Sequence, residues 1–223
     1  MCPWIDVSVP LSASTPVWPG NPRFSAKRHR SIADGDMTND TYLAFDCHTG
    51  THVEGLLHVE AKGAGPDSWP ADLLITQVVV VEIDPNAMEV SVNDIPEIPP
   101  AFRGLLFKTS NSTRDLWANE DFQNDFCALN ESAAEAAAAQ PHLTAVGIDY
   151  MSIQSPRASI VVHNTLLENS ISIIEGLDLR SVKAGGYEML CLPMLISGSE
   201  ASPCRVLLRR ISEDVKEMEG MTQ

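Results

Sequence analysis

Three of the chain's six histidines and one carboxylate fall within Cys47-His48-Thr49-Gly50-Thr51-His52-Val53-Glu54-Gly55-Leu56-Leu57-His58. Imidazole and carboxylate together suit borderline divalent ions, so the segment is a candidate metal site. Periodicity decides which groups can act together. On an α-helix His48 and His52 share a face, but Glu54, two residues past His52, points roughly to the opposite side. On an extended strand His48, Gly50, His52 and Glu54 all project to one side, while Thr49, Thr51 and Val53 supply β propensity on the other. The strand gathers all three candidate ligands and is the expected conformation. Its difficulty is reach, because residues four apart on a flat strand lie about 13 Å apart, near the limit for two imidazoles sharing an ion. A bend or bulge at Gly50 relieves it. His58, beyond Gly55, is expected to approach from the next turn as the acid/base group, not as a ligand. A lone histidine in an apolar setting is usually a satisfied core residue; three with an acid, in one-sided alternation, favour the metal.

The same segment resembles the hallmark of the metal-dependent cyclase-like hydrolases, a family that includes bacterial-type kynurenine formamidases and isatin hydrolases. That hallmark is His-x-Gly-Thr-His-x-Asp-x-Pro-x-His, and here it runs His48-Thr49-Gly50-Thr51-His52-Val53-Glu54-Gly55-Leu56-Leu57-His58. Glu54 stands where the family has Asp, and Leu56 where it has Pro. The extra methylene moves the carboxylate by ~1.5 Å, one C–C bond, so simple ligation is expected of Glu54 ahead of a bridge between two ions. Gly147-Ile148-Asp149 also matches the family, as do Asp6 and the Trp18-Pro19-Gly20 turn. So does a histidine, His163, followed by a short helix, a strand and a glutamate twelve residues on, Glu175. The resemblance implies His163 and Glu175 as a second set of ligands and Trp18 as a wall of the substrate pocket. The loops around Trp18, Trp69 and Trp117 are expected to shape that pocket, with Trp18 and Trp69 touching substrate. It further implies an α/β fold of the swivelling β/β/α type, a β-barrel-like core with flanking helices, assembled as a homodimer or larger.

At 223 residues the chain is most simply a single domain, 1–223, with a sizeable core. A formal charge of −15 disfavours nucleic acid and anionic membrane surfaces as partners. The basic run Lys27-Arg28-His29-Arg30 is too short to reverse that. No apolar stretch approaches the ~20 residues of a membrane span, and Met1-Cys2-Pro3-Trp4-Ile5-Asp6 does not read as a secretory signal. Five cysteines, at 2, 47, 127, 191 and 204, are odd in number and widely spaced, which fits reduced thiols in a cytoplasmic protein. Cys47 adjoins His48, yet alternation turns it away from the ligand face.

The elements that must position these groups can be read in order. Prolines in 1–24 predict an edge strand and an irregular loop. Residues 25–40 read as loop or hairpin, and Thr41–Asp46 alternates into the histidine strand. Thr76–Ile83 predicts a strand buried on both faces, and Gly104–Thr109 another, whose polar end, Thr109-Ser110-Asn111-Ser112, lines a pocket or caps a helix. Ser132–Gln140 is the clearest helix, with Ser132 and Glu135 as a capping box and Pro141 as the stop. Leu143–Tyr150 reads as a strand, Ser159–His163 as a short apolar run before a helical turn at Thr165–Glu168, and Ile171–Ile174 as a strand. Two long strands, Glu188–Ser197 and Cys204–Ile211, precede an acidic tail at 212–223.

The chemistry implied is hydrolysis of an amide or lactam C–N bond in a small aromatic substrate, formylkynurenine-like or isatin-like. One or two divalent ions, Zn²⁺ first and Mn²⁺ also suitable, would activate the water, and His58 would move the proton. A biosynthetic cyclase or dehydratase on the same scaffold, and a non-catalytic metal-binding protein, are the alternatives. Turnover of small amides without other enzymes separates them.

Overall fold

β-Branched and aliphatic runs of four to ten residues dominate the chain, and the computed structural model, which describes residues 3–211, joins them edge to edge. The strands are β1 Ile5–Asp6, β2 Ser25–Arg30, β3 Asp40–Ala44, β4 His52–Glu54, β5 Ile75–Glu82, β6 Glu89–Val90, β7 Gly104–Lys108, β8 Ala128–Leu129, β9 Ala145–Ile148, β10 Ser172–Glu175, β11 Gly185–Pro193 and β12 Ala201–Arg210. The helices are α1 Ser110–Thr113, α2 Glu131–Ala138 and α3 Val161–Glu168. Pairing runs β12-β11-β5-β7-β9-β10-β4 and returns from β4 to β12, which closes a seven-stranded barrel. The long strand β12 makes closure possible by sharing one edge: Ala201–Pro203 pair with β4, and Leu207 and Leu208 with β1. β5, β7, β9 and β10 are parallel, so each return needs a crossover, and α1, α2 and α3 lie in those crossovers.

Strand parity sorts the core into two. Val53, Val78, Val80, Leu106, Ile174, Met189, Val206 and Leu208 form the apolar cluster that fills the barrel. Their neighbours Leu105, Phe107, Val146, Ile148 and Ile173 face outward and are covered by Ala133, Ala137, Val162 and Leu166 of α2 and α3. The expected sheet-rich α/β architecture with a barrel core and flanking helices is therefore present.

Several local expectations are corrected. β5 is not buried on both faces: its residues alternate, with Val79 and Val81 only half-buried at the margin of the helix-covered side. β7 is the strand buried almost throughout. The cap of α2 is Asn130, whose side chain accepts from the Ala133 amide, while the Ser132 hydroxyl donates to Asn130. Asn at the end of β8 is as good a cap as Ser and comes two residues earlier. The run ending at His163 is helical, because Val162, Leu166 and Leu167 recur at helical spacing and pack on the barrel. Thr41–Asp46 does not feed the histidine strand; β3 pairs instead with β2 in a separate, largely exposed ribbon. Thr109 caps α1, which settles the polar end of β7 as a cap. The acidic tail at 212–223 lies outside the described residues. Among the described residues no helix is long and apolar enough to cross a membrane.

Candidate metal centre

Three residues of β4 face two ways. Val53 enters the barrel, so His52 and Glu54 point out, beneath α3. The neighbouring β10 pairs in register, with Glu175 opposite His52 and Ile173 opposite Glu54, which puts the Glu175 carboxylate on the same outer face. His163, in the first turn of α3, closes the site from above: its Nε2 lies 3.3 Å from Glu175 Oε1 and 3.4 Å from Glu54 Oε2.

His48 arrives by a different route from the one expected. The strand begins only at His52, and Gly50 sits at φ +69°, a left-handed turn conformation that bends the chain back. His48 Nδ1 thereby comes within 2.8 Å of Glu54 Oε1 and 3.3 Å of His52 Nε2. A flat strand is replaced by a folded one, and the reach problem disappears. Gly176 completes the corner: at φ +76°, a Cβ there would stand 2.1 Å from the Gly50 carbonyl oxygen. His58 follows on a single 3₁₀ turn, Leu56–His58, with Nε2 3.8 Å from Glu54 Oε1. All six proposed site side chains, His48, His52, Glu54, His58, His163 and Glu175, thus meet in one place.

Electrostatics explains what such a site demands. Glu54 and Glu175 are 1% and 2% exposed, and among the described residues no lysine or arginine pairs with either. Burial alone would lower the pKa of His52, but its bonds to Glu175 and Glu54 outweigh that and push it up to about 10. His163 is raised against its own burial in the same way, chiefly by Glu175. Burial would raise Glu54, yet His48 and His52 hold it well below the usual carboxylate range, and Glu175 is lowered against its burial by His163 and His52. Each of these shifts favours the charged form against burial. His58 differs: burial dominates and lowers its pKa, leaving it neutral near pH 7.

A divalent ion fits this donor set. The ligand atoms of His48, Glu54 and His58 lie within 4.8 Å of one another, as do those of His52, Glu54 and Glu175. Glu54 Oε2 is buried without a hydrogen-bond partner, an acceptor that awaits a cation. His52 Nδ1 lies 3.0 Å from the Gly50 carbonyl, which can only accept, so its N–H is held there and Nε2 is aimed at the carboxylates. Cys47 stands apart and receives a hydrogen bond from the Ser199 hydroxyl at 3.3 Å.

Above these groups opens a cavity of about 410 Å³. Trp18 lines it, its ring set edge-on to Phe122 at 5.0 Å. Trp69, the other expected substrate contact, does not line this cavity. It leads from its loop toward β5 and packs against the barrel cluster beside Met189 and Cys191. Trp117 packs on Tyr150. Sequence reading missed Asn21, Met151, Ser152, Gln154 and Ile160, which also line the cavity. A signal for the middle three existed: they follow directly on the polar corner at the carboxyl end of β9.

The "Putative cyclase" family model matches residues 5–155. A kynurenine formamidase from Salinibacter ruber is 33% identical over 213 residues, spanning 92% of this chain and 96% of its own. A solved structure of a potential metal-dependent hydrolase with cyclase activity is 29% identical, covers 95% of this chain and all of its own, and superposes with a TM-score of 0.80. Isatin hydrolase A from Labrenzia aggregata, 18% identical with a TM-score of 0.78 over 94% of each chain, shares the fold.

Proposed function

Because the chain belongs to the cyclase family, we propose that it is a metal-dependent hydrolase that opens an amide or lactam C–N bond in a small aromatic substrate. The observation that carries this reading is the meeting of four imidazoles and two buried carboxylates at the floor of one cavity.

His48, His52 and Glu54, with His163 and Glu175, would hold one or two ions, and their mixed nitrogen and oxygen donors suit Zn²⁺ and also Mn²⁺. Glu54 turns Oε1 toward His48, His52 and His58 and Oε2 toward His163, so either oxygen would be available to an ion held with those imidazoles. When bound, such an ion supplies a Lewis acid for the carbonyl oxygen and a water of lowered pKa. The remaining work belongs to the chain. His58, neutral and 27% exposed at the cavity edge, takes the proton from the attacking water and returns it to the leaving nitrogen. Trp18, buttressed by Phe122, presents an aromatic wall for the aryl part of the substrate.

The relative's name makes aryl formamides the first substrates to try, with isatin-like lactams next. Purified protein should carry a divalent ion by elemental analysis, hydrolyse formylkynurenine or a simpler formanilide, lose that activity on chelation and regain it with Zn²⁺ or Mn²⁺. An ion-free protein, or turnover unaffected by chelation, would overturn the reading. The few, odd-numbered and widely spaced cysteines of the sequence support a reducing, cytoplasmic setting. The family resemblance supports a homodimer or larger assembly, which light scattering tests directly.

A further inference from the structure

Resting on the hydrolase reading, we infer that Ser152, Gln154 and Ser155 form a donor subsite that grips a carbonyl oxygen of the substrate other than the one under attack. All three line the cavity, and Gln154 is only 7% exposed. Each uses its acceptor on the chain itself. Ser152 Oγ accepts from the Gln154 amide at 3.2 Å, Ser155 Oγ from the Arg157 amide at 3.3 Å, and Gln154 Oε1 from the Val162 amide at 3.0 Å. A backbone N–H can only donate, so the orientation of the Gln154 side-chain amide is fixed. Oε1 faces α3, which leaves Nε2 as the end of this cavity-lining side chain free to donate.

Among the described residues nothing accepts a proton from Gln154 Nε2 or from the two serine hydroxyls. Three donors therefore wait on one stretch of chain. No lysine or arginine lines the cavity with them, and Glu54 and Glu175 lie at its floor. Donors without a formal positive charge, above acidic groups, match a neutral carbonyl oxygen better than a carboxylate. The stretch is also rigid: the Ile153 amide donates to Glu175 Oε1 at 2.6 Å, the Leu129 amide to the Ile153 carbonyl at 2.9 Å, and Gln154 bridges Leu129. Gln154 thus acts twice, as the cap that α3 lacks at Ile160 and as a specificity residue.

Two ligands of the product class separate these roles: aniline, and an aniline carrying an ortho-acetyl group, each titrated into the metal-loaded protein by calorimetry, alongside turnover of the two matching formanilides. The wild type should bind the acetyl compound about fivefold to tenfold more tightly and show the same preference in KM, the worth of one or two net hydrogen bonds. Gln154→Glu keeps an acceptor for the Val162 amide but loses one of the three donors, so the preference should fall to about twofold or less with melting temperature and metal content unchanged. Gln154→Leu should lower the preference likewise and also melt earlier. A preference undiminished by both substitutions, or one absent from the wild type, overturns the subsite. Discrimination between the two anilines without hydrolysis of either formanilide would uphold the subsite and sink the hydrolase reading instead.

Discussion

Glu175 Oε1 accepts the backbone N–H of Ile153 at 2.6 Å while its other oxygen, Oε2, lies 3.3 Å from His52 Nε2. One carboxylate thus ties the cavity wall to the proposed ligand set before any ion arrives, which separates its structural from its chemical role. Gln at this position keeps an acceptor for Ile153 and removes the charge. Glu175→Gln should therefore keep the Ile153 contact yet melt earlier than the wild type in chelator near pH 6, because His52 and His163 lose a carboxylate partner, and it should lose about tenfold or more in ion affinity, since even partners one step removed from an ion cost 10–100-fold. Competition titration with a chromophoric chelator measures the affinity. Unchanged affinity would remove Glu175 from the ligands.

His58 is the test of catalysis as distinct from binding. It is the most solvent-reachable of the three imidazoles that approach Glu54 Oε1 from β4 and its flanking turns, and burial keeps it neutral near pH 7. If it moves the proton, His58→Ala should retain the full ion content and lose about 10²–10⁴ in kcat. Its ring nitrogen also lies within ligand range of His48 and Glu54. A fall in ion stoichiometry on the same substitution would make it a ligand and leave the proton transfer to another group.

The metal-free protein should have an unusual pH profile. His52 and His163 have folded-state pKa values raised above the ordinary 6.5, that of His52 to about 10, so the stability they contribute is complete below about pH 6.5 and is lost as pH climbs through those raised values. Glu54 and Glu175 are lowered from 4.5, so theirs is present above about pH 4.5 and is lost as pH falls. Chelated protein should then be most stable between roughly pH 4.5 and 6.5 and soften toward pH 9. Ion binding works in the opposite sense, because the imidazoles must shed protons to ligate, so the gain in melting temperature on adding Zn²⁺ should grow with pH. Melting curves at pH 5 to 9, with and without the ion, read both trends. Chelated protein as stable at pH 9 as at pH 6 would contradict the assignment.

Legibility in the sequence followed the range of the interactions involved. His52 and Glu54 were placed on one face by strand alternation, a local rule, and the structure agrees. His48 was assigned to the same strand, but its position is decided by Gly50 at φ +69° against Gly176, a contact between segments 126 residues apart in the chain that no local period encodes. Asp149 shows the converse. Its Gly-Ile-Asp segment was recognisable, yet the carboxylate is fully buried and receives Thr109 Oγ1 at 2.7 Å and Ser112 Oγ at 2.6 Å, so it pins the ends of β7 and β9 instead of joining the site. Gln154 escaped notice because its partner, the Val162 amide, belongs to a helix whose start the apolar run concealed. Only its residue type points to Trp69, and packing against the barrel cluster satisfies an indole as well as a ligand would.

The departure at Glu54 from the family's aspartate can be turned into a measurement. Its two oxygens reach His48 at 2.8 Å, His163 at 3.4 Å, His52 at 3.6 Å and His58 at 3.8 Å. Removing one methylene withdraws the carboxylate by ~1.5 Å toward β4. His163 on α3 and His58 on the 3₁₀ turn, already at 3.4 and 3.8 Å, then fall beyond contact, while His52 on the same strand and His48 on the turn before it stay near. Glu54→Asp should accordingly weaken the ion shared with His163 more than any held by His48 and His52, and lower the melting temperature of the chelated protein because His163 loses one of its two carboxylate partners. Ion stoichiometry before and after the substitution, read with melting curves, decides it. An aspartate variant that binds ions as well as the parent would mean that α3 shifts to follow the shorter side chain, and that the spacing between α3 and β4 is not set by Glu54.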